Sequence, residues 1–552
     1  MKFLAPIIVF ILILIHPPIT HAQVVFDNVY ATRDVYNFLD ELAQEGLISL
    51  ISVVKPYSRS LIQSKLNEAL KKKDHLNKRQ KQELSFFLRD YGLSDSIPDA
   101  LLIDLLKHNS NTGFSIDPAS FNYRDDNFLF SIRPVLGLQY FSNSNGLTYH
   151  RYNGAEAFAD INNTLSVYAS LVDNNESQVM SKESYLTQRI GANYKKNIHG
   201  TGRNDFSEMR GGIIYNFDYG HIGLVKDHVV WGNHYNGANI LSGRTPSFAH
   251  IRLHLNPVDW LEFNYIHGWL VSEVTDSSRS YFDSDMVYRE VFHDKYIAAN
   301  MFTVTPFKDF HFSFGNSIVY SDIGVQPGYL IPLLFYKSVD HTLNSTYNHS
   351  GQNAQMFFDI SSRQLPKTHL YVSVLIDEIK IKTMFDEENH RNQLSFKGGA
   401  RVSNLISNIS LTAEYTRNNP WVYRHYISTT TFTSNMYNLG HYLRDNAEEY
   451  YFAIDYRPLR GLLLKLSYIQ ARKGEEHEFV RPGSSTATPF MEETLWKKEA
   501  LSFKAHYNMF NNFRLFAIYT YSEIQDKTEN YFTPPFLDGI QNTISFGFNL
   551  SF

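Results

Sequence analysis

The chain of 552 residues contains no cysteine. Disulfides, thiolate metal sites and thiol nucleophiles are therefore excluded. Beyond an apolar stretch near its start there is no run of eighteen apolar residues, so no membrane-spanning helix is expected. Charge of one sign is also scarce. With 51 Lys and Arg against 56 Asp and Glu, the formal net charge is -5, which argues against a general nucleic-acid binder. His-Glu-x-x-His, Gly-x-Ser-x-Gly and a phosphate loop ending in Gly-Lys-Ser/Thr are all missing. An enzyme is not expected, and neither is a cofactor or metal. A triad scattered among the 22 His and many Ser and Asp keeps a hydrolase as a minor alternative.

What is present is aromatic. There are 41 Phe and 36 Tyr, yet the mean hydropathy is -0.30. That combination fits a transmembrane barrel with a polar interior, and it also fits a large soluble β-protein. The last ten residues favour the barrel. Ile544, Phe546, Phe548, Leu550 and Phe552 fall on one strand face, with Ser545, Gly547, Asn549 and Ser551 on the other. In water that strand would be an aggregation-prone edge, whereas in a closed barrel its apolar face meets lipid.

At the other end, Met1 and Lys2 precede an apolar run, Phe3 to Ile15, and Thr20-His21-Ala22 resembles a cleavage site. Residues 1–22 read as a secretory signal peptide. Gln23 rather than Cys follows the expected cut, which argues against a lipid anchor.

Residues 23–118 are expected to form a helical domain. Val35, Phe38, Leu39 and Leu42 make one apolar stripe. Ser60 with Gln63 reads as a capping box before Leu61, Ile62, Leu66 and Leu70. Asn77 with Gln80 reads as another, before Leu84, Phe87, Leu88 and Tyr91, with Gly92 as the stop. Pro98 is expected to open a helix over Ala100 to Lys107. Lys71, Lys72, Lys73, Lys78, Arg79 and Lys81 read first as a solvated face and second as a contact for an acidic partner.

From about residue 119 the period changes to two. Phe310, Phe312 and Phe314 alternate with His311, Ser313 and Gly315. Tyr450, Phe452, Ile454 and Tyr456 alternate with Tyr451, Ala453 and Asp455. Leu501, Phe503, Ala505 and Tyr507 make a third such face, and Phe513, Leu515, Ala517, Tyr519 and Tyr521 a fourth. Turn-rich pieces such as Asn143-Ser144-Asn145-Gly146 separate the strands. No internal repeat is evident. At about 10 residues per strand plus loops, residues 119–552 predict an antiparallel β-barrel of about 16 to 18 strands.

A run in the middle of this region carries a resemblance. Asp227-His228-Val229-Val230-Trp231-Gly232-Asn233-His234-Tyr235-Asn236-Gly237 leads into Asn239-Ile240-Leu241-Ser242 and Pro246-Ser247-Phe248. It resembles the signature of the Wzi-type outer-membrane capsule-assembly family, with Asn233 standing where that pattern has Pro. His369 to Glu378, Asn419 to His425, and Asn438-Leu439-Gly440-His441 resemble further family segments. Phe38 to Ile48 and Lys55-Pro56-Tyr57-Ser58-Arg59 do so in the helical part. The resemblance implies an outer-membrane barrel preceded by a periplasmic helical bundle. It also implies a role in attaching or organising capsular or exopolysaccharide at the cell surface.

A polysaccharide site needs aromatic faces and planar polar groups, and Arg binds carboxylates bidentately. Trp231, His234, Tyr235 and Arg244 supply these types in one segment, and Trp421, Tyr423, Arg424 and His425 in another. The plainer reading makes them girdle aromatics and lumen residues, with Arg paired to Asp227 and Asp377. Asp377-Glu378 is also readable as a cation site. Gly232 and Gly237 are expected to turn the backbone sharply. The expected partners are surface polysaccharide, outer-membrane lipid and the barrel-assembly machinery, with the helical segment open to a periplasmic partner. A diffusion porin is the alternative function.

Overall fold

The computed structural model describes residues 24–29, 33–91, 102–103, 112–194, 204–347, 351–379, 382, 386, 392–477 and 488–551. The expected signal peptide, Gly92, Pro98 and Phe552 lie outside them. Among the described residues, 18 antiparallel strands close into a barrel. The last strand, Gly539–Leu550, pairs with the first, Phe128–Asn143, from Leu550↔Leu136 to Ile544↔Ser142. Below that seam the first strand pairs instead with Ala119–Arg124, itself a hairpin with Thr112–Ile116. Strand structure therefore begins before the boundary expected at 119, and the closed wall begins after it. Leu102–Ile103 extends the hairpin as a strand, where a helix was expected, because its backbone pairs with Phe114 and Ser115.

The two-residue period sorts the side chains as expected. Ile544 and Phe546 are more than half exposed on the outer wall, while Ser545 is buried inside. Phe314, Phe452, Ile454, Leu501, Phe503 and Tyr519 also face outward. This face can meet lipid, and closing the sheet leaves no strand edge with unpaired backbone groups in the membrane.

Loops are unequal at the two ends. Short turns at 363–367, 404–408 and 457–461 mark one end, and long excursions such as 228–247 and 419–446 mark the other. Three helices sit at the short-turn end: α1 (Arg33–Gln44), α2 (Arg59–Lys71) and α3 (Lys78–Tyr91). Their expected stripes bury Val35, Phe38, Leu39 and Leu42 against Ile62, Leu66, Leu84 and Phe87. Leu70 departs from its stripe and is 43% exposed. The Asn77–Gln80 capping box forms reciprocally, with both hydrogen bonds at 2.9 Å. Ser58, not Ser60, caps α2 by accepting from the Leu61 amide at 3.2 Å, because the helix starts at Arg59. Arg79 is not solvated: its guanidinium is buried between Glu41 and Glu83.

An 18-strand barrel is too wide for its own side chains to fill. Here two chain segments fill it. Val54–Lys55 rises from the helices and pairs with Val230–Trp231, which pairs in turn with Leu241–Ser242 of the 228–247 excursion. Trp231, Ile240 and Leu241 pack against inward-facing Ile297, Ala299, Met301, Val319, Phe357 and Leu375. This part of the inner wall is apolar, contrary to the generally polar lumen expected, because a protein segment rather than water lies on it.

Deleting residues 548–552 removes the pairs Leu550↔Leu136, Asn549↔Gly137 and Phe548↔Leu138 from the closing seam. The expected outcome is unfolded periplasmic protein. It is checked by the loss of the heat-modifiable barrel band from outer-membrane fractions.

Candidate functional site

The site is the polar remainder of the lumen. A cavity of about 370 Å³ lies between α1, the 228–247 segment and the wall formed by strands Gln393–Ser403, Ala447–Tyr456, Leu462–Gly474, Thr494–Phe510 and Phe513–Asp526. His234 and Tyr235 face it from the segment. Arg401, Lys465, Lys504 and Arg514 face it from the strands. Gly232 and Gly237 hold φ of +102° and +90°, and they turn the segment back on itself as expected. A Cβ on Gly232 would also come within 3.0 Å of the Ser373 hydroxyl.

The electrostatic centre is Asp40 on α1. Its carboxylate accepts from Arg363 Nη2 at 2.7 Å and from the Tyr235 hydroxyl, with Arg401 Nε at 4.0 Å. Tyr235 also reaches His369 Nδ1 at 2.9 Å, and the Arg401 guanidinium lies 4.8 Å from its ring centre. Arg401 and Lys465 both meet Asp455, at 3.0 and 3.4 Å. Asp34, near the start of α1, meets Arg514 at 2.5 Å and His506 at 3.3 Å. Glu41 takes Arg79, Arg457 and Asn404. Asp90, at the end of α3, joins Arg59 at 2.8 Å and Arg133 at 2.6 Å. The helices are thus pinned to the wall by carboxylates set into a basic interior.

Burial alone would raise all four of these carboxyls. The facing cations outweigh it, holding Asp34, Asp40 and Glu41 below the usual range and Asp90 at about 2. Lys55, pressed into the plug, is lowered by burial to about 8 despite Asp40, Asp359 and Glu414 nearby.

The expected site residues do not form one constellation. Trp231 is 1% exposed and meets Phe357 edge-on at 5.8 Å, so it offers no face to a sugar. Arg244 is buried across the outer loops. It donates to the Tyr442 carbonyl at 3.3 Å and to the Tyr185 carbonyl, with Tyr437 beneath it. His234, Tyr235 and the buried Arg244 line the cavity.

The second group lies in the 419–446 excursion at the long-loop end. Trp421 and Tyr423 take φ of +72° and +71°, a conformation costing about 1–3 kcal/mol each. Asp445 and Asp377 hold it by accepting their amides at 3.3 and 2.9 Å. Asp377 thus pairs with backbone and with Gln355, and not with the Arg expected. Asp227 does pair with Arg210, at 3.2 Å. Tyr423 is buried and donates to the Asn239 carbonyl at 2.6 Å, tying the two excursions together. Arg424 stays a third exposed, over the Trp421 indole at 5.1 Å. His425 bonds Thr430 at 2.7 Å. Among the described residues no cluster of His, Asp and Glu is arranged to hold a metal.

Asp40, Arg363, Arg401, His369, Lys465 and Lys504 escaped the sequence reading. For His369, Arg401, Lys465 and Lys504 the available signal was an inward position on a strand whose alternate residues face out, as in Lys397-Gly398-Gly399-Ala400-Arg401. Asp40 on α1 and Arg363 in a short turn carried no such signal.

Comparison with known proteins follows the same lines. A family model described as capsule assembly protein Wzi matches residues 137–530. Among solved structures, the chain is similar to Wzi of Escherichia coli, titled an outer-membrane protein involved in group 1 capsule assembly and a carbohydrate-binding β-barrel. That match has a TM-score of 0.57 at 11% identity, covering 96% of this chain and 100% of the other. OccAB2 of Acinetobacter baumannii matches at 8% identity with a TM-score of 0.42, covering 76% and 97%. OprD of Pseudomonas aeruginosa matches at 9% with 0.39, covering 76% and 94%. No curated protein sequence matches the chain.

Carboxylates with depressed pKa contribute their stabilisation above the unfolded value of about 4 and lose it as pH falls through the folded values. For Asp90 that value is about 2. The helical segment is therefore expected to resist pepsin at pH 4 and to be cut at pH 2. Removing one partner of a buried pair costs about 3–5 kcal/mol, so Asp40→Asn should expose the segment already at pH 7, as read by limited proteolysis. Trp231→Ala should cost a similar amount through lost packing, about 3–5 kcal/mol, and open the 228–247 segment to protease. His234→Ala should leave it protected.

Proposed function

Because the chain belongs to the Wzi capsule-assembly family, as an outer-membrane β-barrel, we propose that it attaches or organises capsular or exopolysaccharide at the cell surface. It acts by binding rather than by catalysis. The single observation that carries this reading, beyond membership, is the obstructed lumen. The three-stranded plug of Val54–Lys55, Val230–Trp231 and Leu241–Ser242 crosses the interior, which disfavours a diffusion porin.

In this reading the short-turn end with its helices is periplasmic, since short turns of such barrels face the periplasm. Exposed Lys71, Lys73 and Lys78 then form the surface offered to a periplasmic partner. The long excursions face outward and carry the contact residues. Arg424, stacked on Trp421, supplies a charge-assisted hydrogen bond there, and His425, kept neutral by burial, an uncharged one. His234 and Tyr235 supply deeper contacts along the cavity. Trp231, Tyr423 and Arg244 hold these segments in place.

A hydrogen bond to a charged group contributes about 1.5–3 kcal/mol. Arg424→Ala with His425→Ala is therefore expected to weaken polysaccharide binding by more than about tenfold while leaving the plug intact. The check is retained surface polysaccharide on cells whose barrel remains heat-modifiable, alongside single-channel conductance. A full polysaccharide layer in the double variant, or large conductance by the parent protein, overturns the proposal.

A further inference from the structure

On one sector of the barrel's outer wall the outward residues are polar or buried. On strand Phe310–Ser321 the outward positions are Phe310, Phe312, Phe314, Asn316, Ile318 and Tyr320. The first three meet lipid, and Phe314 is 39% exposed. The last three are buried although they continue the same face. On the adjoining strands Lys295–Phe307 and Leu261–Leu270, the outward-facing Ala298, Asn300, Tyr265 and His267 are buried too. Their inward neighbours Ile297, Ala299 and Met301 pack on the luminal plug, which fixes the parity.

What covers them is the excursion after Ser321. A 3₁₀ turn at Pro327–Leu330 and the helix α4 (Tyr336–Tyr347) fold back down the outside of the wall. Tyr329 and Tyr336 are fully buried against Tyr265, Tyr320, Ala298 and Ile318. The wall's polar groups meet the excursion's backbone. Asn300 Nδ2 donates to the Pro332 carbonyl at 2.7 Å and to the Leu334 carbonyl at 3.0 Å. Asn316 Oδ1 accepts from the Tyr336 amide at 2.9 Å, and the Tyr265 hydroxyl donates to the Tyr329 carbonyl at 3.0 Å. Irregular backbone is tolerated at membrane depth only where its polar groups are satisfied by protein. Asn300, Asn316 and Tyr265 provide that.

Among the described residues none covers the far side of the excursion. Leu330, Ile331, Leu333 and Phe335 are 39%, 49%, 66% and 46% exposed. From Pro327 to Tyr336 there is no charged residue. An apolar band about 25 Å tall takes about ten residues of a strand tilted about 40°. Counted from the short turn before Phe310, Asn316 stands within that height and in its outer half. The exposed side chains lie on the same outer side of the wall as Phe312, Phe314 and Phe358.

We propose that Pro327–Tyr336 is a membrane-embedded clasp, with Leu330, Ile331, Leu333 and Phe335 packed against acyl chains of the outer leaflet. The wall beside the luminal plug is thereby two layers thick on its lipid side. The absence of cysteine makes the test clean. Nitroxide labels on Leu333→Cys and, separately, Phe335→Cys are compared in phospholipid vesicles with Phe314→Cys on the lipid wall and Met286→Cys on an exposed outer hairpin. Each protein is first shown to be heat-modifiable. The labels at 333 and 335 should match 314, being relaxed by oxygen and shielded several-fold from a nickel chelate relative to 286. Chelate access equal to that at 286 overturns the clasp. So does spin–spin broadening between labels at 333, which would place a second copy of the chain there.

Discussion

The structure depends on carboxylates of an N-terminal helix finding cations inside a wall hundreds of residues away. Asp40 meets Arg363 and the Tyr235 hydroxyl, and Asp34 meets Arg514. A closed wall of 18 strands leaves a water-wide interior, and inward Arg and Lys without counter-charge would keep it hydrated and mutually repulsive. Acidic α1 neutralises part of that interior. The same contact lets Val54–Lys55 enter as an edge strand and recruit Val230–Trp231. Ion pairs and plug thus share one set of elements, since α1 carries the carboxylates and the strand at Val54–Lys55 follows it.

This division of labour explains the uneven lumen. Where the plug lies, the inner wall is Ile297, Ala299, Met301, Val319 and Phe357, a dry core inside a membrane barrel. Where the plug is absent, the wall is Arg401, Lys465, Lys504 and Arg514 around a cavity. The polar side keeps cationic and hydroxyl groups facing the cavity. The apolar side sets the position of His234 and Tyr235 through Trp231 beneath them.

The wall was legible in the sequence because its signal is local. Alternation at Ile544–Leu550 or Tyr450–Tyr456 needs only neighbouring residues, and so does the Asn77–Gln80 box. The site was not legible to the same degree. Asp40 and Arg363, or Tyr235 and His369, meet only through strand register accumulated around the barrel. Trp231 and Arg244 had the right chemistry for sugars, but burial makes them supports. The Ser58 cap and exposed Leu70 show a smaller limit: helix patterns set the stripe to within a residue or two, and tertiary packing sets the rest.

Outward Asn300 and Asn316 bring the two surfaces together. A polar residue on a lipid-facing position is destabilising unless something satisfies it, so alone it would read as an error in the alternation. Here the residues one step along the same strands, Ala299, Met301, Ser317 and Val319, face the plug or the lumen. Their strands thus carry protein on both sides, as strands of a soluble sandwich do, and near-continuous burial from Lys295 to Met301 follows. Departures from two-faced patterning in a membrane wall therefore mark where a chain segment, rather than lipid or water, is the neighbour. In this chain they mark the sector against which the plug is seated.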